Sequence, residues 1–446
     1  MRERTSASGH VWTESAKMNI WSRVGWGLSV LIVCGVAAVG VLNVRDEIDV
    51  KATAAFAPSD SMIDRGAYLA RAGNCMTCHT SRGGASYAGG LGIATPFGTV
   101  YTSNLTPDSN TGIGSWSSAH FWRAMHNGRS KSGRLLYPAF PYTSYTQITR
   151  ADSDAIFAYL RNQPAVNQPN RPHALGFPSN TQAALAVWRA LYFRPGVYQP
   201  DTSRDAEWNR GAYLVNGLGH CSACHSPRDA LGGTPHRLAL AGGLIPMQNW
   251  YAPSLTSPHE AGLGQWEVEN IVSLLRTGVA PGASVSGPMA EVVLGSTQYL
   301  SQPDLKAMAH YLKALPASSS QPEAAVIPRP PGTSFDTTTA AKLYEQHCAQ
   351  CHGAKGEGVM GAYPPLAGNR AITMASTENL VQMVLGGGFA PATAGNPRPF
   401  GMPPFVLVLD DQQVSALISH IRTSWGNQAG AITPLEVNRI RARQAH

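Results

Sequence analysis

The chain has 446 residues, long enough for about three domains of ordinary size, and it carries a formal net charge of +7. A basic balance is typical of nucleic-acid-binding proteins, but no dense stripe of Lys and Arg with interleaved aromatic residues occurs, so that class is rejected. Charged residues make up only 14% of the chain, well under the roughly 25% of a usual soluble domain, which indicates that part of the surface faces a membrane or partner subunits.

The first predicted element is a long apolar helix. The 21 residues from Val24 to Val44 include only two clearly polar side chains, Ser29 and Asn43, and as a helix they would span about 30 Å, the thickness of a bilayer core. The basic residues that precede this run are Arg2, Arg4, Lys17 and Arg23. The positive-inside bias therefore predicts a cytoplasmic N-terminus and membrane anchor over residues 1–50, with all later residues outside the cytoplasm.

The same segment has an alternative interpretation as a cleaved signal peptide. A start at Met18 would give a basic flank before the apolar run, and Ala52-Thr53-Ala54 resembles a cleavage site. The run is longer than the roughly 7–15 apolar residues of a signal peptide, and charged residues separate it from that site. We therefore favour a retained transmembrane anchor.

The sequence Cys-x-x-Cys-His occurs three times after this segment. It is the attachment motif of c-type haem, in which two thiols add to the vinyl groups of one haem and the adjacent imidazole binds its iron. The residues expected to hold haem covalently are Cys75, Cys78, Cys221, Cys224, Cys348 and Cys351, and the expected proximal iron ligands are His79, His225 and His352. Because haem is attached in this way outside the bacterial cytoplasm, the motifs also predict export.

Two other chemistries use paired cysteines. Zinc sites combine such pairs into four-ligand sets, whereas these pairs lie far apart and each has its own His at the same offset. A thioredoxin-like motif needs no trailing His and lies near a βαβ pattern, which is not evident here. The threefold repetition therefore predicts three haem c groups.

The motifs head three related units, each predicted to be a small helical domain with little strand. A short amphipathic helix leads into each motif, and the first two share Arg-Gly-Ala-Tyr-Leu at residues 65–69 and 210–214. Ala341–Tyr344 is a looser echo in the third unit, and Thr333 to Asp336 has the capping-box spacing of a helix start. The later loops at residues 101–105, 251–255 and 363–366 are candidates for the carbonyls that orient the iron-bound imidazoles.

Two more helices complete each unit. They are predicted at 119–127, 267–277 and 377–385, with Gly128, Gly278 and Gly386 as C-caps, and at 152–161, 302–315 and 410–425. The predicted domains are 55–165, 205–316 and 333–426, joined by a packed crossover at 166–204 and an extended Pro-rich segment at 317–332. Residues 427–446 form a basic tail, either a surface helix on a membrane or partner or a frayed end.

The sixth iron ligand should lie between the last two helices of each unit. A Met there closes the site and raises the potential, whereas an open position invites peroxide, O₂ or CO. Met289 and Met402 lie in Gly/Pro-rich loops at that place, which favours iron binding over core filling. In the first unit the loop has Phe140, which cannot bind iron. Met125 on the preceding helix is the first choice there, with His126 second and an open iron third.

These residues resemble the three-haem cytochrome c subunits of bacterial membrane-bound dehydrogenases over essentially residues 60–426. Besides Arg-Gly-Ala-Tyr-Leu, the matching segments are Gly89-Gly90, Asn104–Asp108, Trp208–Gly211, Gly217–His220, Trp250–Leu255 and Met402–Phe405. The resemblance implies a mainly α fold, with an N-terminal transmembrane helix followed by three tandem class I-like cytochrome c domains. It also implies that the protein lies at the bacterial inner membrane with its haem domains on the periplasmic side.

In the family that it resembles, a catalytic subunit oxidises alcohol, aldehyde or sugar with PQQ, molybdopterin or flavin. The cytochrome, which is not an enzyme on its own, passes the electrons to ubiquinone or a terminal oxidase. Alcohol-oxidising members usually have Met at the position of Phe140. The combination of Phe140 with the sequence of residues 121–126 more closely resembles the cytochrome partners of molybdopterin aldehyde dehydrogenases. Those dehydrogenases also carry an iron–sulfur subunit. The alternatives are a PQQ alcohol dehydrogenase or flavin-dependent sugar dehydrogenase as partner and, more remotely, a multihaem peroxidase.

Overall fold

The computed structural model describes residues 20–47, 50, 56–318 and 337–444. The features that lie outside these residues are Arg2, Arg4, Lys17, the alternative cleavage site at 52–54, the capping-box spacing at 333–336 and nearly all of the segment 317–332. The chain divides into two units, Met1–Arg45 and Asp46–His446.

The N-terminal unit contains one described helix, α1 (Ile20–Val44). Its 21 residues Val24–Val44 are long and apolar enough to cross a membrane. Ser29 Oγ and Asn43 Nδ2 each donate at 2.9 Å to the carbonyl four residues earlier. The two polar side chains are therefore satisfied within the helix, which lowers the free-energy cost of placing them in an apolar phase.

The second unit is mainly helical. Its helices are α2 (Asp60–Ala72), α3 (Cys75–Cys78), α4 (Ser118–Asn127), α5 (Tyr142–Tyr145), α6 (Arg150–Arg161), α7 (Gln182–Tyr192), α8 (Ala206–Asn216), α9 (Ser222–His225), α10 (Val268–Thr277), α11 (Pro288–Gly295), α12 (Gln302–Lys313), α13 (Thr337–His347), α14 (Ala349–His352), α15 (Arg370–Thr373), α16 (Glu378–Gly386), α17 (Asp411–Thr423) and α18 (Pro434–Gln444). Single 3₁₀ turns occur at His236–Leu238 and Thr297–Tyr299. The helices predicted from periodicity therefore occur within a few residues of their expected bounds.

Short strands form small antiparallel sheets, which the helical pattern does not predict. They are β1 (Gly92–Thr95), β2 (Gly98–Tyr101), β3 (Ala174–Leu175), β4 (Gly243–Leu244), β5 (Tyr251–Ala252), β6 (Val279–Ala280), β7 (Ala283–Ser284), β8 (Gly388–Phe389) and β9 (Gly401–Met402). β2 lies between β1 and β3, and the others pair as β4–β5, β6–β7 and β8–β9. In register, Ile93 faces Val100, Leu244 faces Tyr251 and Gly388 faces Met402.

The helix that leads into each motif packs against the closing helix of the same repeat, α2 on α6, α8 on α12 and α13 on α17. The first two pairs cross at a glycine. A Cβ on Gly66 would overlap the carbonyl oxygen of Ala155, and one on Gly211 would overlap that of Ala307. The glycine of Arg-Gly-Ala-Tyr-Leu is therefore required by the close approach of two backbones. In the third pair Ala340 is fully buried.

Two hydrophobic clusters form the core of this unit. The first combines the first two repeats and includes Leu69, Ile148, Leu214 and Leu305. The second belongs to the third repeat and includes residues of α13, α16 and α17. The buried side chains of the first two repeats thus form one continuous core, and the third repeat has its own.

Two connecting segments are packed against the repeats. In the crossover at 166–204, β3 pairs with β2, and Asn104 Nδ2 donates to the carbonyl of Val166 at 2.8 Å. At the C-terminus, Val437 and Ile440 of α18 are buried in the second cluster, and Arg441 forms an ion pair with Asp411 at 2.7 Å. The tail is therefore a packed helix and not a frayed end, and contact of its exposed face with a membrane or partner stays a prediction.

One predicted C-cap is displaced by a residue. Gly128 and Gly278 have the left-handed conformation expected of helix caps, with φ of 60° and 81°. In the third repeat Gly386 still belongs to α16, and the cap is Gly387, with φ of 63°. Three consecutive glycines occur here, so the local sequence does not show which of them ends the helix.

Candidate haem sites

Each Cys-x-x-Cys-His segment forms a single helical turn that follows a longer helix. The turns are α3 at Cys75, α9 beside Cys221 and α14 beside Cys348. Residues three apart in a helical turn project from the same side, so the two thiols of each motif lie on one face. The His comes directly after the second thiol in each motif.

The three motif histidines share one hydrogen-bonding pattern. Each Nδ1 donates to a backbone carbonyl in the loop predicted to provide it, at 2.8 Å in His79–Ser103, 2.7 Å in His225–Pro253 and 2.9 Å in His352–Pro364. This confirms the predicted carbonyl partners. Because a carbonyl can only accept, the ring proton is on Nδ1, and Nε2 carries the lone pair that can bind a metal.

The surroundings of these rings keep them neutral. Burial lowers the pKa of His79, His225 and His352, and the bond to the carbonyl opposes that effect. A neutral imidazole of fixed orientation is the form in which His binds iron. The hydrogen bond to the backbone carbonyl therefore fixes each ring in the orientation and protonation state in which Nε2 can bind iron.

The first thiol of each motif is held in its neutral form. Burial raises the pKa of Cys75 and Cys221 to about 12 and that of Cys348 to about 11. Nucleophilic or zinc-binding cysteines need the thiolate, which such an environment disfavours. Two thiols beside an imidazole with a free Nε2 lone pair fit haem c, whose iron would be bound by the ring and whose vinyl groups would react with the sulfur atoms. When bound, haem supplies a one-electron iron centre.

The residues at the expected distal position pack near the motifs. Phe140 and Met289 lie against the first cluster, which Cys75 and Cys221 also contact. Met402 packs against the second cluster, but it lies on the short strand β9 and not in the predicted loop. Met289 differs from the prediction, because it is the second residue of α11 and not part of a loop. Pro at the first helical position is compatible with helix formation, so the Gly-Pro sequence starts a helix here.

Two neighbouring residues on α4 remain candidates for the first site. Met125 is 4% exposed in the first cluster and occupies the helix position of the buried residues Leu275 and Val384. His126 stacks on Trp122 with 4.6 Å between ring centroids, and its Nδ1 donates to the carbonyl of Thr146 at 2.8 Å. Successive helical residues point about 100° apart, so the two side chains face different directions.

Tyr145 is a residue of the first site that sequence reasoning missed. Its hydroxyl donates at 3.2 Å to the carbonyl of Gly73, just ahead of the first motif. Its ring centroid lies 5.3 Å from that of Phe140 and 5.6 Å from that of His220, the residue before the second motif. Because Tyr145 lies in the single turn α5, no periodic pattern marks it as buried.

Comparison with known proteins places these sites in a family. A family model described as Cytochrome c matches residues 63–164 and 338–425, which contain the first and third motifs. The alcohol dehydrogenase (quinone) cytochrome c subunit of Gluconacetobacter polyoxogenes is 39% identical over 406 residues, 85% of this chain and 84% of that protein. The gluconate 2-dehydrogenase cytochrome c subunit of Pantoea cypripedii is 37% identical over 398 residues, 86% of this chain and 90% of that protein.

A further relative is much longer than this chain. A nicotinate dehydrogenase subunit of Pseudomonas putida is 41% identical over 370 residues, which are 82% of this chain and 30% of that protein. The relatives named as cytochrome c subunits, in contrast, match over most of their own length. The chain therefore belongs to the family of cytochrome c subunits of dehydrogenase complexes.

Proposed function

We propose that this chain carries three covalent haem c groups and passes electrons from a periplasmic dehydrogenase to the respiratory chain. The observation that carries the proposal is the threefold Nδ1–carbonyl bond, which prepares the imidazole of each motif in the same way. The two thiols adjacent to each ring supply the covalent attachment. An isolated motif could have another use, but three motifs with the same bond from the ring to a backbone carbonyl favour three equivalent haem sites.

The haem number can be tested by removing one attachment site at a time. Intact mass and the absorbance of the reduced pyridine complex would count haems in the wild type and in three double variants. We expect three haems in the wild type and two in each of Cys75→Ala/Cys78→Ala, Cys221→Ala/Cys224→Ala and Cys348→Ala/Cys351→Ala. A wild type with one or two haems would contradict the proposal.

Met289 and Met402 are proposed as the distal ligands of the second and third irons, and Met125 as that of the first. Both Met289 and Met402 pack beside the cluster that contacts their motif, and Met125 is buried in the first cluster. His126 is the second choice for the first iron. The reduced wild type should not bind CO, whereas Met289→Ala and Met402→Ala should each bind one CO per chain. Stoichiometric CO binding and peroxide turnover by the wild type would instead favour the peroxidase alternative.

The proposed partner is a molybdopterin dehydrogenase with an iron–sulfur subunit, of the aldehyde-oxidising type. Support comes from Phe140, which stands where alcohol-oxidising relatives usually have Met, and which packs on Tyr145 as a core residue. The match to a relative named alcohol dehydrogenase (quinone), over 85% of this chain, favours a second candidate, a quinoprotein partner. The purified native complex should contain molybdenum and iron–sulfur in the first case and PQQ in the second.

We further propose that α1 anchors the protein in the inner membrane, with ubiquinone or a terminal oxidase as the electron acceptor. The length and internally bonded polar groups of Val24–Val44 support a membrane span. N-terminal sequencing of the membrane-extracted protein tests this point. A mature start near residue 55 would exclude the retained anchor.

A further inference from the structure

The closing helix of the first repeat is capped in part by a residue of the second. Thr149 is the N-cap of α6, and its hydroxyl oxygen accepts from the backbone N–H of Asp152 at 3.2 Å. The hydroxyl of Tyr213, on α8, accepts from the N–H of Thr149 at 3.0 Å and donates to Asp152 Oδ2 at 2.5 Å. Arg65 Nε donates to the other carboxylate oxygen at 2.9 Å. The cap of α6 is therefore completed only when both repeats are in contact.

The same cap occurs again with the roles of the repeats exchanged. Ser301 is the N-cap of α12, and the hydroxyl of Tyr68, on α2, accepts from its N–H at 3.1 Å. The same hydroxyl donates to Asp304 Oδ2 at 2.6 Å, and Arg210 binds that carboxylate at 2.8 and 2.7 Å. Reciprocal contacts of this kind define a two-fold interface. The first two repeats thus pack about a pseudo-two-fold axis within one chain.

The chain segments that lead into the first two motifs also meet at this interface. Ser296 Oγ donates at 3.2 Å to the carbonyl of Ala72, at the end of the helix before the first motif. The ring of Tyr145 lies 5.6 Å from that of His220, which directly precedes the second motif. The interface therefore includes the backbone that positions both attachment sites.

The third repeat satisfies the corresponding groups internally. Its closing helix α17 has Asp410 as N-cap, and Gln413 of the same helix completes a capping box. The hydroxyl of Tyr344 donates at 2.6 Å to the carbonyl of Gly353 in the same repeat. The difference explains why Arg-Gly-Ala-Tyr-Leu precedes only the first two motifs.

We propose that Tyr68 and Tyr213 are positioning residues that hold the first two repeats together as a pseudo-two-fold pair. The crossed bonds fix the first and second attachment motifs against each other, so that their haems form one coupled pair and the third haem is a separate centre. This inference rests on the proposed function, because it requires haem at both motifs. A hydrogen bond to a carboxylate is stronger than a neutral one, so two tyrosine hydroxyls are sufficient to influence docking.

Full-length protein with Tyr68→Phe, Tyr213→Phe or both substitutions tests this role. Tyr311→Phe is a matched control, because the hydroxyl of Tyr311 accepts from Asn216 Nδ2 at 2.9 Å within the second repeat. The first readout is hydrogen exchange of the peptides that begin α6 and α12. The second is Soret circular dichroism, in which two haems in a fixed mutual orientation give a pair of bands of opposite sign. A purely structural role in one repeat would not change that pair of bands.

Each single variant should speed exchange at the start of the helix that it caps by at least about tenfold. The double variant should also lose the paired Soret bands, whereas Tyr311→Phe should keep them. Wild-type exchange and unchanged bands in the double variant would overturn the proposal, as would a three-haem wild type without paired bands. A wild type that lacks a haem by intact mass would instead contradict the proposed function. If the double variant does not accumulate, the single variants decide by exchange alone, and wild-type exchange at the starts of both α6 and α12 would overturn the proposal.

Discussion

The glycine at which α2 crosses α6 provides a test of the helix packing. In Gly66→Ala the new Cβ would lie less than 3.0 Å from the carbonyl oxygen of Ala155 and from Cβ of Tyr159. Cβ atoms in real structures essentially never approach other heavy atoms so closely. Neither a backbone carbonyl oxygen nor a Cβ atom can be moved aside by rotating a side chain. We expect the two helices to separate by about 1 Å or more to restore an ordinary contact.

The expected loss of stability follows from two opposing effects. Overpacking a core typically costs about 1–3 kcal/mol, and a contact with backbone belongs at the upper end of that range. Ala is more favourable than Gly in a helix by about 1 kcal/mol. The net loss for the α2–α6 pair should be about 2 kcal/mol, which corresponds to roughly 30-fold faster exchange of amides that exchange when the pair opens.

Gly386 offers a control without a clash, because it is the last residue of α16 and no heavy atom lies within 4 Å of the Cβ that Ala would add. Gly386→Ala should gain at most about 1 kcal/mol of helix propensity at this terminal position, without the clash, so α16 should exchange no faster than in the wild type. Hydrogen exchange measured by mass spectrometry on the haem-loaded protein reports on the α2–α6 pair and on α16 in one experiment. Wild-type protection of α2 and α6 in Gly66→Ala, at full haem content, would refute the close crossing.

Two buried charged side chains give the remaining predictions. Burial acts to raise the pKa of Asp304, but the hydrogen bonds from Arg210 and Tyr68 outweigh it and hold the pKa below its usual value. The ionised carboxylate of Asp304 therefore stabilises the fold above about pH 4, and this stabilisation is lost as the pH falls through the lowered pKa. The free energy of unfolding of Asp304→Asn should consequently fall less steeply with decreasing pH than that of the wild type. Arg422 is 3% exposed and donates to three backbone carbonyls, so Arg422→Leu should destabilise the third repeat by about 3 kcal/mol in urea unfolding. A loss below about 1 kcal/mol would show that those carbonyls find other partners.

Local sequence patterns predicted what depends on neighbours along the chain. The apolar periodicity gave the helices, and the motif spacing gave the imidazoles and the loops whose carbonyls orient them. These features are encoded within some thirty residues, so pattern and turn chemistry are sufficient to find them. The boundary error at Gly387 shows the limit, because three adjacent glycines are locally equivalent and only packing selects the cap.

Features that depend on distant residues could not be predicted from those patterns. Arg-Gly-Ala-Tyr-Leu was visible as a repeat, but its Tyr makes its bonds 236 residues away in Tyr68–Asp304 and 61 residues away in Tyr213–Asp152. A tyrosine on an amphipathic helix is equally compatible with simple core packing. The shared core of the first two repeats could not be predicted for the same reason. The sequence of each helix indicates that one face is buried, but not which other helix covers that face.

The contact between the second and third repeats differs in kind from the pseudo-two-fold pair. Asn379, on α16, accepts from the N–H of Tyr251 at 2.8 Å and donates to its carbonyl at 2.7 Å. Tyr251 lies two residues before Pro253, whose carbonyl holds the imidazole of His225. The other end of α16 leads to the cap Gly387, which is close-packed against the backbone of Met402 and Pro403. One helix thus contacts both the loop whose carbonyl accepts from His225 and the segment that carries Met402. Arg370 Nη1 donates to the carbonyl of Gly262 at 2.8 Å in a further contact between these repeats, so the two hydrogen bonds at Tyr251 are among several that position the third repeat on the second.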